Sequence, residues 1–244
     1  VQLTEIDSLL GANSLATLAY KRFKTYNKLT EVDIIPLAEP TGTPAAGSII
    51  VTGTAGESVS LTINVGDDVY PVTVAIVLAD AAAAVATKIA ASIGALDLFS
   101  AAVDGVDDTK VNVTYLYDGE VGNGLSIVPQ ARVSGLTFTI VNLTGGTGAY
   151  DSANILDSLT KRYHSVIFDA SASFDDIETF LEARVNVENI VLGGSGFVMI
   201  NDSLADLKSF ANAKNSKTMV VIGNPAEMQL NAIPILATAE FVAK

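Results

Sequence analysis

Few residues in this chain are of a type and spacing that could do chemistry. Gly193-Gly194-Ser195-Gly196 follows an apolar run, and a glycine-rich turn after a strand can cradle a phosphate with backbone amides. The run matches neither GxGxxG nor GxxxxGK[ST], and no lysine follows where a phosphate loop needs one. Its first reading is therefore a tight turn that uses the backbone freedom of glycine. Ser195 invites a nucleophile reading, with His164 as base and Asp169 as the third member. A nucleophile elbow needs glycine two residues either side of the serine, and position 197 is Phe. His164, the only histidine, closes a helical stretch, where a C-terminal dipole partner is the plainer role. No catalytic triad is expected.

The acidic clusters are Gly66-Asp67-Asp68, Asp104-Gly105-Val106-Asp107-Asp108 and Phe174-Asp175-Asp176. None has the D-x-[DN]-x-[DN]-G spacing of a calcium loop. Two read as loops and the third as a helical first turn, where carboxylates face the positive end of the dipole. The densest basic feature is Lys21-Arg22-Phe23-Lys24, with Lys28 one turn on. A solvated helix face is its default reading. The functional alternative is a contact with the acidic surface of another copy, which reversing the charges of Lys21 and Lys24 would weaken. Asn112, Asn142 and Asn201 match N-x-[ST] but read as coincidence without a secretory context. No catalytic, metal or cofactor-binding residue is assigned, and the chain is not expected to be an enzyme.

Composition narrows the classes further. The 244 residues carry 14 Lys+Arg against 27 Asp+Glu, a net charge of −13, which repels nucleic acid and anionic membranes. Cysteine is absent, so disulfides and thiolate chemistry are excluded. No apolar run approaches the ~20 residues of a membrane-spanning helix, so membrane insertion is not expected. The opening VQLTEIDSLL has no basic n-region and no initiator Met, and reads as an excerpt rather than a signal peptide. Much Ala, Val, Thr and Gly with only 17% charged residues leaves large neutral surfaces.

The elements that would position these residues fall into three stretches. In the first, Asn13 or Ser14 caps a helix whose Leu15, Ala19, Phe23 and Tyr26 share a face. Val32-Asp33-Ile34-Ile35-Pro36-Leu37 then reads as a buried strand. From about 42 to 141, β-branched runs at 48–54, 59–65, 69–76, 110–117, 125–129 and 136–141 surround one alanine-rich helix over 81–96, capped by Asp80. Gly66-Asp67-Asp68 reads as a hairpin loop. From 145 onward helix and strand alternate. Helices are expected over 152–162, after Ser173, after Ser203 and in a tail with Ile235, Leu236 and Phe241. Strands are expected at 165–169, 189–192 and 218–222. Short apolar strands joined by helices signal a parallel sheet buried on both faces. The expected fold class is therefore α/β, a mainly parallel sheet flanked by helices, with an inserted α+β domain of antiparallel strands and one helix. Residues 1–41 and 145–244 would form the discontinuous core and 42–144 the insertion.

Six motifs stand out: Leu10-Gly11-Ala12-Asn13-Ser14-Leu15; Leu29 through Leu37, with its Val-Asp-Ile-Ile-Pro-Leu; Ala46-Gly47-Ser48-Ile49-Ile50-Val51-Thr52-Gly53-Thr54-Ala55; Gly122-Asn123-Gly124-Leu125-Ser126-Ile127; Gly145-Gly146-Thr147-Gly148; and Lys161-Arg162-Tyr163-His164-Ser165-Val166-Ile167. In order and spacing they resemble motifs of the tail sheath subunits of contractile bacteriophages, the Mu type in particular. Glu39 is shifted by a residue from the family's acidic position. The resemblance implies a structural subunit that polymerises helically around a tail tube and contracts to drive the tube through a host envelope. Its partners would be other sheath subunits, the tail tube, and baseplate and tail terminator proteins. It would reside in the virion tail, after assembly in the host cytoplasm. The inserted domain would face outward. The family's N-terminal arm and C-terminal domain are missing or truncated here, so the fragment is expected to be monomeric. The competing class is a nucleotide- or metabolite-binding enzyme on a doubly wound α/β sheet, using Asp169 and the Gly193 turn.

Overall fold

A computed structural model describes residues 3–11, 14–156, 159, 161, 163–168, 174–184, 193–225 and 233–244. In chain order its elements are α1 (Leu3–Leu10), α2 (Leu15–Tyr26), β1 (Pro44–Gly53), β2 (Val59–Val65), β3 (Asp67–Ile76), α3 (Ala82–Ile93), β4 (Phe99–Val103) and β5 (Lys110–Asp118). After a 3-10 turn (Glu120–Gly122) come β6 (Ile127–Pro129), β7 (Leu136–Thr144), α4 (Ala153–Leu156), β8 (Ser165–Ile167), α5 (Phe174–Arg184), β9 (Ser195–Asp202), α6 (Leu204–Lys214), β10 (Met219–Pro225) and α7 (Pro234–Ala243). The chain divides into two compact units. One holds Val1–Thr41, Gly148–Met228 and Pro234–Lys244; the other holds Gly42–Thr147 and Gln229–Ile233.

The second unit is built from antiparallel pairs. One sheet has the order β4-β5-β1-β7 and the other β3-β2-β6. Strand formation follows from alternation. In β5, Val111, Val113 and Tyr115 are buried while the residues between them are not. Helix α3 packs on β1, β4 and β5 of one sheet and on β3 of the other. Val85, Ile89 and Ile93, one helical face, are fully buried against them. Phe99 and Tyr115 add a tilted ring pair with centroids 5.5 Å apart. In the β2–β3 hairpin the regular pairing runs to Asn64↔Pro71, the register then shifts, and Gly66 sits at the turn with φ +73°. A Cβ there would stand 2.6 Å from the Phe99 ring, so both backbone conformation and packing require glycine.

The first unit holds a three-stranded parallel sheet, order β10-β9-β8, buried on two faces. On one side Leu156, Phe168, Ile177, Leu181, Val198 and Met219 form a core, with Val166 and Val221 packed against it. On the other, Phe23 of α2 meets Ala239 and Ala243 of α7, with Ile167 and Val32 beside them. Val166 and Ile167, neighbours in β8, thus serve opposite faces, as the pleat dictates. Full burial of a side chain such as Leu181 contributes about 2 kcal/mol.

The expectation of a mainly parallel sheet is overturned. Seven of the ten described strands lie in the second unit and pair only antiparallel, while the parallel sheet has three. One misreading had enlarged the parallel sheet. Val32–Leu37 forms no strand: Asp33, Ile35 and Pro36 are exposed, and Pro36 has no N–H to give a ladder. In addition, β4 (FSAAV) carries too few β-branched residues to stand out, yet it completes the four-stranded sheet. The expected strand at 189–192 and the cap Ser173 lie outside the described residues.

Local signals fared unevenly. Ser14 caps α2 by accepting from the Thr17 amide at 3.2 Å, and Ser203 caps α6 by accepting from the Asp206 amide at 3.2 Å. The buried face of α2 is Thr17, Tyr20 and Phe23; Tyr26, expected inside, is exposed. Helix α3 starts after Ala81, and Asp80 does not cap it. The Asp80 carboxylate turns back to accept from the Val77 amide at 2.8 Å and pairs with Lys88 at 2.5 Å. Lys88 first, then that amide, holds its pKa below the ordinary 3.8.

Candidate functional site

The glycine run is part of a ladder rather than a ligand loop. Ser195 and Gly196 belong to β9, paired with Ser165 and Val166 of β8. The Ser195 amide donates to the His164 carbonyl at 3.0 Å and the Gly196 amide to the Thr218 carbonyl at 2.9 Å. Those donors are therefore spent on the sheet and cannot cradle a phosphate. The glycines serve close approach. A Cβ on Gly194 would lie 2.3 Å from the Tyr163 carbonyl oxygen, and one on Gly196 would lie 2.5 Å from Met219 Sδ. The pairing brings Ser195 and His164 together through backbone atoms, with the His164 side chain exposed. Asp169 lies outside the described residues.

Two of the three acidic clusters are engaged locally, and the side chains of Asp67 and Asp68 in the third lie outside the described ones. Asp104 Oδ1 accepts from the amides of Val106 and Asp107 at 3.0 and 3.2 Å, and Oδ2 accepts from Asn112 Nδ2 at 2.9 Å. The Asn112 bond first, then the two amides, lowers the Asp104 pKa to about 2. Asp107 accepts from the Thr109 hydroxyl at 2.6 Å and its amide at 3.0 Å, which lowers its pKa too. Asp175 pairs with Lys214, and Asp176 accepts from Ser152 Oγ at 3.4 Å. Among the described residues no three His, Cys, Asp or Glu gather as a metal site would require. No helix among them is long and apolar enough to cross a membrane.

The basic helix is also satisfied from within. Lys21 pairs with Asp7 of α1 at 2.7 Å, Arg22 with Glu240 of α7 at 3.0 Å, and Lys24 donates to the Thr30 carbonyl. These bases tie α2 to its neighbours, which removes the main reason to assign them to a second copy. Lys161 bridges Glu31 at 3.1 Å and Asp33 at 2.8 Å. That contact lowers the Asp33 pKa and raises that of Lys161. Arg184, which sequence reasoning passed over, donates from its guanidinium to the carbonyls of Leu159 and Lys161 and sits 4.3 Å above the Phe180 ring.

The most organised polar constellation lies where the chain enters and leaves the second unit. Thr43 and Thr147 exchange backbone bonds of 3.2 and 3.0 Å, and their hydroxyls meet at 2.9 Å. The Thr43 hydroxyl also donates to the Gly145 carbonyl at 3.2 Å. Asn123 then clamps Gly146 from both sides: Oδ1 accepts from its amide at 2.8 Å and Nδ2 donates to its carbonyl at 2.9 Å. A Cβ on Gly146 would lie 2.3 Å from the Gly119 carbonyl oxygen, so no larger residue fits without a backbone shift. A Cβ on Gly122 would lie 2.8 Å from the Ala45 methyl. Three motifs that are far apart in sequence, around 46, 123 and 146, thus converge on one neck. Their chemistry is mechanical: neutral, hydrogen-bonded, and without a nucleophile or base.

The chain is 25% identical over 219 residues to the Mu-like prophage FluMu tail sheath protein of Haemophilus influenzae. It is similar to a tail sheath protein. The match covers 85% of this chain, more than either unit holds, so it reaches into both. The chain spans 44% of the length of that relative. No family model matches. Among solved structures, the D2-D3 and D1-D2-D3 fragments of the Escherichia coli flagellar cap protein FliD each align with a TM-score of 0.23, at 15% and 14% identity. They cover 50% and 59% of this chain and 89% and 57% of their own. Likeness at that level carries no argument about fold or role.

Proposed function

We propose that this chain belongs to a structural subunit of a contractile phage-type tail sheath. The observation that carries the reading is the similarity to a tail sheath protein across both units. Two features support it. Three of the motifs that resemble the sheath family, around 46, 123 and 146, gather at the neck of the second unit, where they perform structural work. In the glycine run that suggested a ligand, the amides of Ser195 and Gly196 are committed to a sheet.

In this reading, residues 1–41 and 145–244 form the body that packs among other sheath subunits around a tail tube. Residues 42–144 form an insertion on the outer surface. Baseplate and tail terminator proteins bound the assembly, and the particle is a virion tail put together in the host cytoplasm. Contraction repacks rigid units against one another, and the driving energy is interface gained rather than nucleotide hydrolysis.

Ligand-dependent melting separates this role from the enzymatic one. A structural unit keeps its Tm with ATP, NAD or divalent metals, whereas a rise of several degrees with any of them overturns the reading. The outward insertion is tested by placing an epitope beside Val106, which is 99% exposed at the tip of the Asp104 loop. Antibody should decorate intact sheathed tails along their length. Labelling confined to broken tails contradicts the placement.

A further inference from the structure

Asn123 and Gly124 form the only Asn-Gly pair in the 244 residues. That dipeptide has a chemistry of its own. Once hydroxide takes its proton, the backbone nitrogen of the glycine attacks Cγ, the carbonyl carbon of the asparagine side chain. A bond forms between them, the Cγ–Nδ2 bond breaks, and ammonia carries the amide nitrogen away. Water then opens the five-membered imide at either carbonyl, leaving aspartate or its backbone-shifted isomer, isoaspartate. Glycine favours the step because no Cβ crowds the attacking nitrogen. The other described asparagines of the second unit, Asn64, Asn112 and Asn142, precede Val65, Val113 and Leu143, whose side chains do crowd it.

The neck opposes each part of that step. Ring closure needs the Gly124 nitrogen beside Cγ, a near-attack arrangement with Cβ and that nitrogen nearly eclipsed about the Cα–C bond. Asn123 has φ −68° and ψ +137°, which holds them apart. The Gly124 amide donates to the Leu143 carbonyl at 3.0 Å. The side chain cannot turn to meet it while Oδ1 and Nδ2 are both bound to Gly146. Gly124 is nonetheless exposed and Asn123 half-buried, so water and hydroxide reach the pair. Protection therefore comes from conformation rather than from exclusion of solvent.

We propose that Asn123 is a self-modifying site, held silent by the clasp, that records the time the neck spends open. Leu143 and Gly146 lie close together where β7 ends, so lifting that end releases the amide and the side chain together. Neither product restores the clasp. A carboxylate has no donor for the Gly146 carbonyl and sets an acceptor against it. Isoaspartate also adds a methylene to the backbone, next to Gly122, where a Cβ would already lie 2.8 Å from the Ala45 methyl. Loss of ammonia makes the change one-way. The site acts whether or not the unit serves in a sheath.

The test follows conversion of asparagine to acid by mass spectrometry. The tryptic peptide 111–132 carries both Asn123 and an internal control, Asn112. The chain is incubated at neutral pH in buffer, in urea below its unfolding midpoint, and fully unfolded. Conversion at Asn123 should be about tenfold or more faster unfolded than in buffer, should yield both aspartate and isoaspartate, and should outpace Asn112. Between those limits it should rise in step with hydrogen exchange at the Gly146 amide. Gly146→Ala, whose Cβ would meet the Gly119 carbonyl oxygen, should open the clasp and raise conversion in buffer about tenfold or more. Equal rates in the folded and unfolded chain overturn the proposal, as does an Asn123 that stays intact when unfolded. So does conversion that does not follow Gly146 exchange, or a folded Gly146→Ala variant that converts no faster. If that variant fails to fold, the urea series of the unaltered chain decides.

Discussion

Asn123→Ala tests whether the neck holds the second unit closed. The side chain makes two bonds to one residue, accepting from the Gly146 amide at 2.8 Å and donating to its carbonyl at 2.9 Å. A net hydrogen bond contributes about 1 kcal/mol, and stranding a partly buried backbone partner costs about 1–3 kcal/mol more. Water can reach part of this site, so the lower end applies, and the expected loss is roughly 2–3 kcal/mol. For a unit of this size, 1 kcal/mol corresponds to about 4–8 °C, so Tm should fall by roughly 10–20 °C. Asn123→Asp keeps the acceptor and loses the donor, and should land between wild type and the alanine variant. The assay is thermal and urea unfolding followed by far-ultraviolet circular dichroism, with amide exchange read at Gly146 and Thr147. Faster exchange at those amides must accompany the loss. An alanine variant within about 0.5 kcal/mol of wild type, the range of ordinary surface changes, would refute the clamp.

Further outcomes follow from single contacts. Ser203→Ala removes the α6 cap and should cost about 1 kcal/mol in urea unfolding. The Asp104 carboxylate, lowered from 3.8 to about 2 by Asn112 and two loop amides, binds its proton less readily when folded. Its stabilisation is therefore present above about pH 4 and is lost as pH falls through about 2. Asp104→Asn should flatten that part of the acid-unfolding curve, and an unchanged curve would contradict the assignment. Charge reversal of Lys21 should free α1 through loss of the Asp7 contact, an exposed pair contributing under about 1 kcal/mol, with faster exchange confined to residues 3–10.

What could be read from the sequence depended on whether the signal was local. Strands β2, β3 and β5 announce themselves through β-branched alternation, and Ser14 and Ser203 through capping chemistry. Val32–Leu37 has the composition of a buried strand. Strandhood, however, depends on a neighbour to bond, and residues 31–33 are held instead by Lys161 and the Phe23 cluster. Gly193–Gly196 reads as a turn because glycine permits turns, but its cause is long-range, the close approach of Tyr163 and Met219. Strand β4 went unread because its two alanines are compatible with helix or strand and are decided by pairing with β5. Asn123 drew notice only as part of a family motif. Its clamp on Gly146 spans 23 residues, and no short-range pattern marks it.

The central claim is that these two units belong to a sheath-type subunit. Electron microscopy of the full-length protein, expressed by itself, tests it most directly. The account predicts long hollow tubes with helical striations, in which both units are found in every repeating subunit. Monodisperse particles under several salt conditions, with no ordered tubes, would contradict it.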